Sequence, residues 1–161
     1  MVAGKSPLIT LNNGIKVPTL GLGVLDRSAI EQTAGAVETA VANGYRLIDT
    51  AAAYGNERQV GEGIRGSGID RSEMFITTKL WMGDYGYEST LRAFDASLRK
   101  LGLEYVDLYL LHWPMPSNFE ATIASYRNAP CGRQGSRDRR IEFRPDVLED
   151  PGGTHRSASS G

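Results

Sequence analysis

The sequence is poor in cysteine and has almost no net charge. Cys131 is its single cysteine, which excludes a disulfide within the chain and any zinc site built from several thiolates. The formal net charge is -1, so no overall basic field attracts nucleic acid or an anionic membrane surface. These shortages favour a protein of the reducing cytoplasm that binds small molecules.

Long apolar runs are also missing. No run approaches the ~20 residues that a membrane-spanning helix needs, and the first residues lack the apolar core of a signal peptide. The 161 residues, 40% of them hydrophobic, still suffice for the core of one ordinary domain. We therefore expect a soluble, cytoplasmic protein that binds neither membranes nor nucleic acid.

Turn and capping signals mark the beginning of the fold. The segment "LITLNNGIKVP" places Asn13-Gly14 between two apolar-polar alternations and predicts a β-hairpin. Ser28 and Glu31 have the spacing of a helix capping box, and apolar residues follow at helical spacing until Gly44. A hairpin followed by an amphipathic helix is therefore predicted.

Strands and helices then alternate at a regular pitch. Helices are predicted over residues 56–65 and in "YESTLRAFDASLRKLG", and strands in "TLGLGVL", "YRLIDT", "MFITTKL" and "YVDLYLLH". The four strand ends are about 30 residues apart, close to the length of a βαβ unit: Gly21, Asp49, Lys79 and His112. The pattern predicts a parallel α/β sheet, either doubly wound or part of a (β/α)8 barrel.

The doubly wound alternative lacks its usual phosphate-binding motif, G-x-G-x-x-G after the first strand. Gly21 and Gly23 begin such a motif, but Asp26 occupies the position of its third glycine. A doubly wound nucleotide-binding module is therefore disfavoured. Both glycines still predict space for a close approach to the strand backbone.

Polar residues of different kinds occur at the carboxyl ends of successive strands. Asp49, Lys79 and His112 lie at or just past predicted strand ends, and Tyr54 lies in the loop after Asp49. Each residue alone has an ordinary structural explanation, such as a loop cap, a surface lysine, a core histidine or a packed ring. Because ligands collect where parallel strands end, the four together form a candidate site.

These four groups suit the protonation of a developing alkoxide. A phenol is a weak acid at neutral pH, and a neighbouring ammonium such as Lys79 stabilises its ionised form. A lysine in such a site needs a counter-ion, and Asp49 is the available carboxylate. His112 can hydrogen-bond the substrate oxygen. The set predicts carbonyl reduction by a hydride that another molecule delivers.

Four segments resemble the successive strand-end motifs of the aldo-keto reductases, NADPH-dependent enzymes built on a (β/α)8 barrel. They are "LNNGIKVPTLGLG", "RLIDTAAAYGNE", "TTKLW" and "VDLYLLHWP". The resemblance runs from about Ile9 to Pro114, with weaker support to Tyr126. It implies an α/β chain of TIM-barrel type with about four βα units, an N-terminal hairpin, and NADPH-dependent reduction of aldehydes or ketones.

The resemblance also implies roles for individual residues. The family's catalytic tetrad is matched by Asp49, Tyr54, Lys79 and His112. By the family's pattern, Tyr54 is the general acid, Lys79 and Asp49 tune it, and His112 orients the substrate.

The resemblance also implies which residues contact the cofactor and the substrate. Gly23, Val24 and Asp49 match residues beside the nicotinamide and its ribose. Trp81 and Trp113 match aromatic residues that line the substrate pocket. No metal ligand is predicted.

The sequence changes character after residue 126. Residues 127–161 hold seven of the fourteen arginines and no lysine, without sustained apolar periodicity, and this composition predicts a disordered or aberrant tail. A complete barrel needs ~250 residues, so residues 1–126 are expected to be its N-terminal half. Residues 143–150 resemble the helix after the family's fifth strand, but Ile141-Glu142 replace its usual Ser-Asn. Because residues 143–150 resemble the family while the residues on either side do not, they suggest reading-frame slips before and after this segment.

Two functions stay open at this point. The tetrad favours an NADPH-dependent carbonyl reductase. The missing later loops, which hold the cofactor's phosphates and adenosine in the family, favour a non-catalytic half-barrel that binds a nucleotide weakly or pairs with another chain. We expect little reductase activity from these residues alone, and self-association through exposed half-barrel edges.

Overall fold

The chain begins with an antiparallel hairpin of two strands, β1 (Leu8–Thr10) and β2 (Lys16–Pro18), in which Ile9 lies opposite Val17. Gly14 in the connecting turn has a φ of 85°, a backbone conformation that favours glycine. The predicted hairpin is therefore confirmed. The computed structural model describes residues 6–11, 14–26, 28–113 and 119–128, so Asn13 and the arginine-rich tail from residue 129 lie outside it.

The next four strands form one parallel sheet. They are β3 (Gly21–Gly23), β4 (Leu47–Asp49), β5 (Phe75–Leu80) and β6 (Leu108–Leu111), paired in chain order. All three pairings are parallel. A doubly wound sheet reverses its strand order at a switch point, whereas a barrel adds each strand beside the previous one. The sequential order is that of a (β/α)8 barrel.

A helix follows each strand of this sheet. The helices are α1 (Thr33–Ala42), α2 (Glu57–Gly66), α3 (Tyr87–Leu101) and α4 (Phe119–Asn128). Consecutive helices pack against one another, so they form one layer on the same face of the sheet, like the outer ring of a barrel. In the described part of the chain, no helix is both long and apolar enough to cross a membrane.

The core lies between the sheet and this helical layer. Ile48 and Ile76 are paired in register and fully buried, and they meet Val37 and Val60 of the helices. Because successive side chains of a strand point to opposite faces, the neighbours of these isoleucines point away from the helices. Asp49 is one of them, so the apolar core and the polar site occupy opposite faces of the same strands.

The capping box predicted before α1 is wrong. The hydroxyl and the backbone N–H of Ser28 donate to Oδ1 of Asp26, at 2.6 and 2.9 Å. A 3₁₀ turn, Ile30–Gln32, precedes α1, and no side chain caps that turn or the helix. A capping serine accepts a backbone N–H of the first helical turn. Ser28 does not, because Ala29 stands directly before the 3₁₀ turn and the Ser28 hydroxyl is turned to Asp26.

Candidate active site

The fold brings the four predicted site residues to one edge of the sheet. Asp49 is the last residue of β4, Lys79 precedes the last residue of β5, and His112 directly follows β6. Tyr54 ends a 3₁₀ turn in the loop after β4. Because the strands are parallel, these positions share the carboxyl edge of the sheet, where barrels of this type carry their sites.

A short ion pair occupies the centre of the site. Nζ of Lys79 donates to Oδ2 of Asp49 at 2.7 Å and to the carbonyl oxygen of Thr50 at 3.0 Å. The other carboxylate oxygen, Oδ1, accepts the hydroxyl of Thr77 at 2.5 Å. The Lys79 side chain is 16% exposed and that of Asp49 33%. The pair is thus largely enclosed but can still be reached from solvent.

The phenol and the imidazole lie beside this pair. Nζ of Lys79 is 5.2 Å from the centre of the Tyr54 ring, and the rings of Tyr54 and His112 meet edge to face at 5.7 Å. Burial, and secondarily the positive charge of Lys79, lowers the pKa of His112, while Asp49 opposes the shift. The imidazole is therefore neutral at pH 7 and can offer a hydrogen bond without adding a second cation.

Two tryptophans flank the histidine. The ring centre of Trp81 is 5.3 Å from that of His112, and that of Trp113 is 6.1 Å away. Both indoles are partly solvent-exposed, and they are the only tryptophans of the chain. The hydroxyl of buried Tyr85 donates to the backbone carbonyl of Trp113, which ties the loop after β5 to the loop after β6. The two indoles thus form an open aromatic wall beside the site.

The glycines of β3 differ in what surrounds them. A Cβ on Gly21 would lie 2.2 Å from Cδ2 of Leu47, whereas a Cβ on Gly23 would meet nothing within 4 Å. Both glycines thus leave room for a close approach to the strand backbone. At Gly21 the Leu47 side chain of the neighbouring strand occupies that room, and at Gly23 it is open. Val24 follows, buried, and its N–H donates to the carbonyl oxygen of Asp49 at 3.1 Å.

A buried amide that the sequence reasoning missed joins three parts of the site. Nδ2 of Asn56 donates to the carbonyl oxygen of Val24 at 2.6 Å, and the hydroxyl of Thr50 donates to Oδ1 of Asn56 at 2.8 Å. Asn56 is fully buried, two residues after Tyr54. Its polarity suggested only a helix start, because apolar periodicity does not reveal a buried hydrogen-bonded amide.

A second buried carboxylate, that of Glu57 in α2, lies on the helix-facing side of β5, and the sequence reasoning missed it. Oε1 of Glu57 accepts the hydroxyl of Thr78 at 2.8 Å, and Glu57 is only 1% exposed. Thr77, the preceding residue, bonds Asp49 on the opposite face. Two consecutive threonines in the middle of a mostly buried strand were the available signal, since a buried hydroxyl needs a partner.

Comparison with known proteins identifies the family. Residues 19–128, more than half of the chain, match the model of the aldo/keto reductase family. The chain belongs to the aldo/keto reductase family. The resemblance read from the strand-end motifs is thereby confirmed, as is the fold expected from it.

Individual relatives show how much of the family's length is present. Morphine 6-dehydrogenase of Pseudomonas putida is 66% identical over 128 residues, which are 80% of this chain and 43% of the relative. An aldo/keto reductase crystal structure from Brucella melitensis matches 76% of this chain and 48% of its own, with 54% identity and a TM-score of 0.72. The chain thus spans less than half the length of these aldo/keto reductases.

One solved relative contains the cofactor. The Bombyx mori aldo-keto reductase, crystallised in complex with NADP, is 40% identical and has a TM-score of 0.68. The match covers 74% of this chain and 42% of the Bombyx chain. A family member of similar fold therefore binds NADP.

Proposed function

We propose that these residues form the N-terminal part of the catalytic barrel of an NADPH-dependent carbonyl reductase, which converts small aldehydes or ketones to alcohols. The observation that carries this proposal is the position of Lys79, whose ammonium is paired with Asp49 and lies 5.2 Å from the centre of the Tyr54 ring. We propose a cytoplasmic location for this activity.

The described residues fit the nicotinamide end of the cofactor. Gly23 borders open space, and Asp49 keeps a partly exposed carboxylate that can accept a further hydrogen bond. Gly23, Val24 and Asp49 would hold this end. When bound, NADPH supplies the hydride that reduces the carbonyl carbon. The NADP complex of the Bombyx mori relative supports this choice of cofactor.

Tyr54 provides the proton in this proposal. Its hydroxyl donates a proton to the carbonyl oxygen as negative charge develops there, which yields the alcohol and leaves a phenolate. The ammonium of Lys79 stabilises that phenolate, and Asp49 balances the ammonium while the site is at rest. Proton donation of this kind contributes typically ~100- to 10,000-fold in rate.

His112 and the tryptophans act on the substrate. A neutral imidazole can donate a hydrogen bond to the carbonyl oxygen without competing with Tyr54 as the acid. Nδ1 of His112 is buried without a hydrogen-bond partner among the described residues, which leaves Nε2 for the substrate. Trp81 and Trp113 offer apolar surface to the rest of the molecule and exclude water from one side of the carbonyl.

A titration and a turnover assay test the proposal. Binding of NADPH is followed by quenching of the two site tryptophans, first in this chain and then in a completed barrel. The completed barrel joins residues 1–128 to the part of the Pseudomonas putida relative that follows its match. We expect NADPH binding and reduction of a reactive aldehyde by the completed barrel, and little turnover by the 161-residue chain.

A second candidate is a nucleotide-binding module without turnover. It is favoured by the open space at Gly23 and the partly exposed Asp49 carboxylate, which suit nucleotide binding and require no proton transfer from Tyr54. The same assays separate the two candidates. A completed barrel that binds NADPH but reduces no aldehyde would contradict the reductase and favour the binding module.

A further inference from the structure

The side chain of Asp49 has a second partner besides Lys79. Thr77 lies directly opposite Asp49 in the parallel register, and its hydroxyl donates to Oδ1 at 2.5 Å. Lys79 is two residues further along the same strand, on the same face, and its Nζ contacts Oδ2 at 2.7 Å. One carboxylate is therefore held at both oxygens by two side chains of β5.

We propose that Thr77 is a positioning residue of the site, whose hydroxyl fixes the Asp49 carboxylate so that Oδ2 stays aimed at Lys79. This inference rests on the proposed reductase function and adds a residue to it. The hydroxyl of Thr77 hydrogen-bonds Asp49, and among the described residues no hydrogen bond joins it to the phenol or the imidazole, so it acts through Asp49.

Rotation of the carboxylate is the motion that Thr77 prevents. The terminal torsion of an aspartate has a broad energy profile, and Asp49 is one-third exposed, so water can compete for its oxygens. Thr77 is 4% exposed, and its branched side chain has a restricted χ1, which gives the hydroxyl one direction. The buried hydroxyl of Thr77, whose rotation is restricted, thus orients the partly exposed carboxylate of Asp49, whose rotation is less restricted.

The second acceptor of Lys79 is fixed independently. The carbonyl oxygen of Thr50 receives Nζ at 3.0 Å, and Thr50 is anchored through its hydroxyl to buried Asn56. Loss of the Thr77 hydroxyl therefore leaves one of the two lysine contacts intact. We therefore expect the Lys79 ammonium to become more mobile while the rest of the site keeps its structure.

The neighbouring threonine supplies a matched control. Thr78 is as buried as Thr77 and also donates to a carboxylate, but its partner is Glu57 on the helix-facing side. Replacement of either threonine by valine removes one hydroxyl and keeps the branched shape. Only Thr77→Val removes a contact to the site.

Trace labelling of lysines on the full 161-residue chain tests the inference without requiring turnover. The chain has four lysines, and the exposed Lys16 of the hairpin serves as internal reference. We expect the labelling rate of Lys79 relative to Lys16, measured by mass spectrometry after brief acetylation, to rise about fivefold in Thr77→Val, since a hydrogen bond to a charged group is lost. Thr77→Ser should restore the wild-type ratio, and Thr78→Val should not change it.

Two outcomes would overturn the inference. Equal rises in Thr77→Val and Thr78→Val would mean that general loosening exposes the lysine, and an unchanged ratio in Thr77→Val would mean that Asp49 needs no second partner. If the valine variant does not fold, as judged by circular dichroism, Thr77→Ala replaces it under the same criteria. A completed barrel that reduces no carbonyl would contradict the proposed function and leave the labelling result standing.

Discussion

Two ion pairs of equal length lie at opposite ends of the parallel sheet. At the carboxyl end, Lys79 and Asp49 are 2.7 Å apart, and at the amino end Arg71 and Asp107 are also 2.7 Å apart. The amino-end pair is more enclosed on the acidic side, because Asp107 is 6% exposed whereas Asp49 is 33% exposed. Distance alone therefore does not distinguish a structural pair from a functional one.

The partners of the amino-end pair explain its structural role. Arg71 donates to the carbonyl oxygens of Met74 and Tyr105 and lies over the Tyr105 ring at 4.0 Å. Asp107 also accepts the backbone N–H of Ile76 at 2.8 Å. These bonds join the starts of β5 and β6, so both charged groups are held by residues of the fold.

The carboxyl-end pair keeps groups available for another molecule. A phenol, an imidazole and two exposed indoles lie beside Lys79 and Asp49, and the Asp49 side chain is itself one-third exposed. The comparison teaches that an ion pair surrounded by available donors and open space is a candidate for chemistry. A pair whose partners are backbone groups of adjacent strands stabilises the fold.

The largest expected effect is at the carboxyl end. Tyr54→Phe removes the transferable proton and keeps the ring, so the kcat of the completed barrel should fall by about 100-fold or more. Affinity for NADPH should stay unchanged. Lys79→Met should cause similar damage to kcat, because the phenolate loses its counter-charge. Near-normal aldehyde reduction by Tyr54→Phe, measured as NADPH consumption, would mean that the acid is misassigned.

At the amino end, the expected effect is on the stability of the fold and not on the site. Arg71→Met leaves Asp107 without its charged partner in a buried setting, so the free energy of unfolding should fall by about 3 kcal/mol. The labelling of Lys79 in the folded chain should not change. Lys79→Met is the control and should destabilise less, because Asp49 is more exposed to water. Equal losses in urea unfolding would remove the proposed difference between the two pairs.

A smaller effect tests how the aromatic wall is held. Tyr85→Phe removes the hydrogen bond to the carbonyl of Trp113, so the unfolding free energy should fall by about 1 kcal/mol. Tryptophan emission should shift to longer wavelength as the Trp113 loop loosens. Tyr87→Phe, at the more exposed start of α3, is the matched control. Identical emission in both variants would show that the bond does not position the indole.

The smallest effect is a pH dependence at the site. The pKa of His112 is lowered in the folded chain. The unfolded chain therefore binds more protons than the folded chain once the pH falls below the usual histidine range near ~6.5. The stability associated with neutral His112 is thus fully present above the unfolded pKa and is lost as the pH falls toward the folded pKa.

Tryptophan fluorescence measures that titration directly, since an imidazolium quenches a neighbouring indole more strongly than a neutral imidazole does. We expect a midpoint below the usual histidine value, in a chain carrying His155→Gln, which removes the only other histidine. His112→Gln should abolish the transition. A midpoint at or above the usual value would contradict the predicted direction.

Most of the fold was predictable from local sequence signals. Apolar periodicity located the four parallel strands and α1 to α3, and their pitch predicted one βαβ unit after another. The predicted capping box is absent because Ala29, not Ser28, directly precedes the 3₁₀ turn before α1, and the Ser28 hydroxyl bonds Asp26. The group that approaches Gly21 is the side chain of Leu47 from another strand, which no local pattern reveals.

The sequence by itself determined which chemical groups are present, and at which strand ends Asp49, Lys79 and His112 occur. Parallel pairing then forces these residues to one edge, because all strand ends share a direction. Only the tertiary structure decided the partners of each group. Thr77 holds Asp49 while Thr78 holds Glu57, since adjacent residues of a strand point to opposite faces and long-range pairing decides what lies on each face.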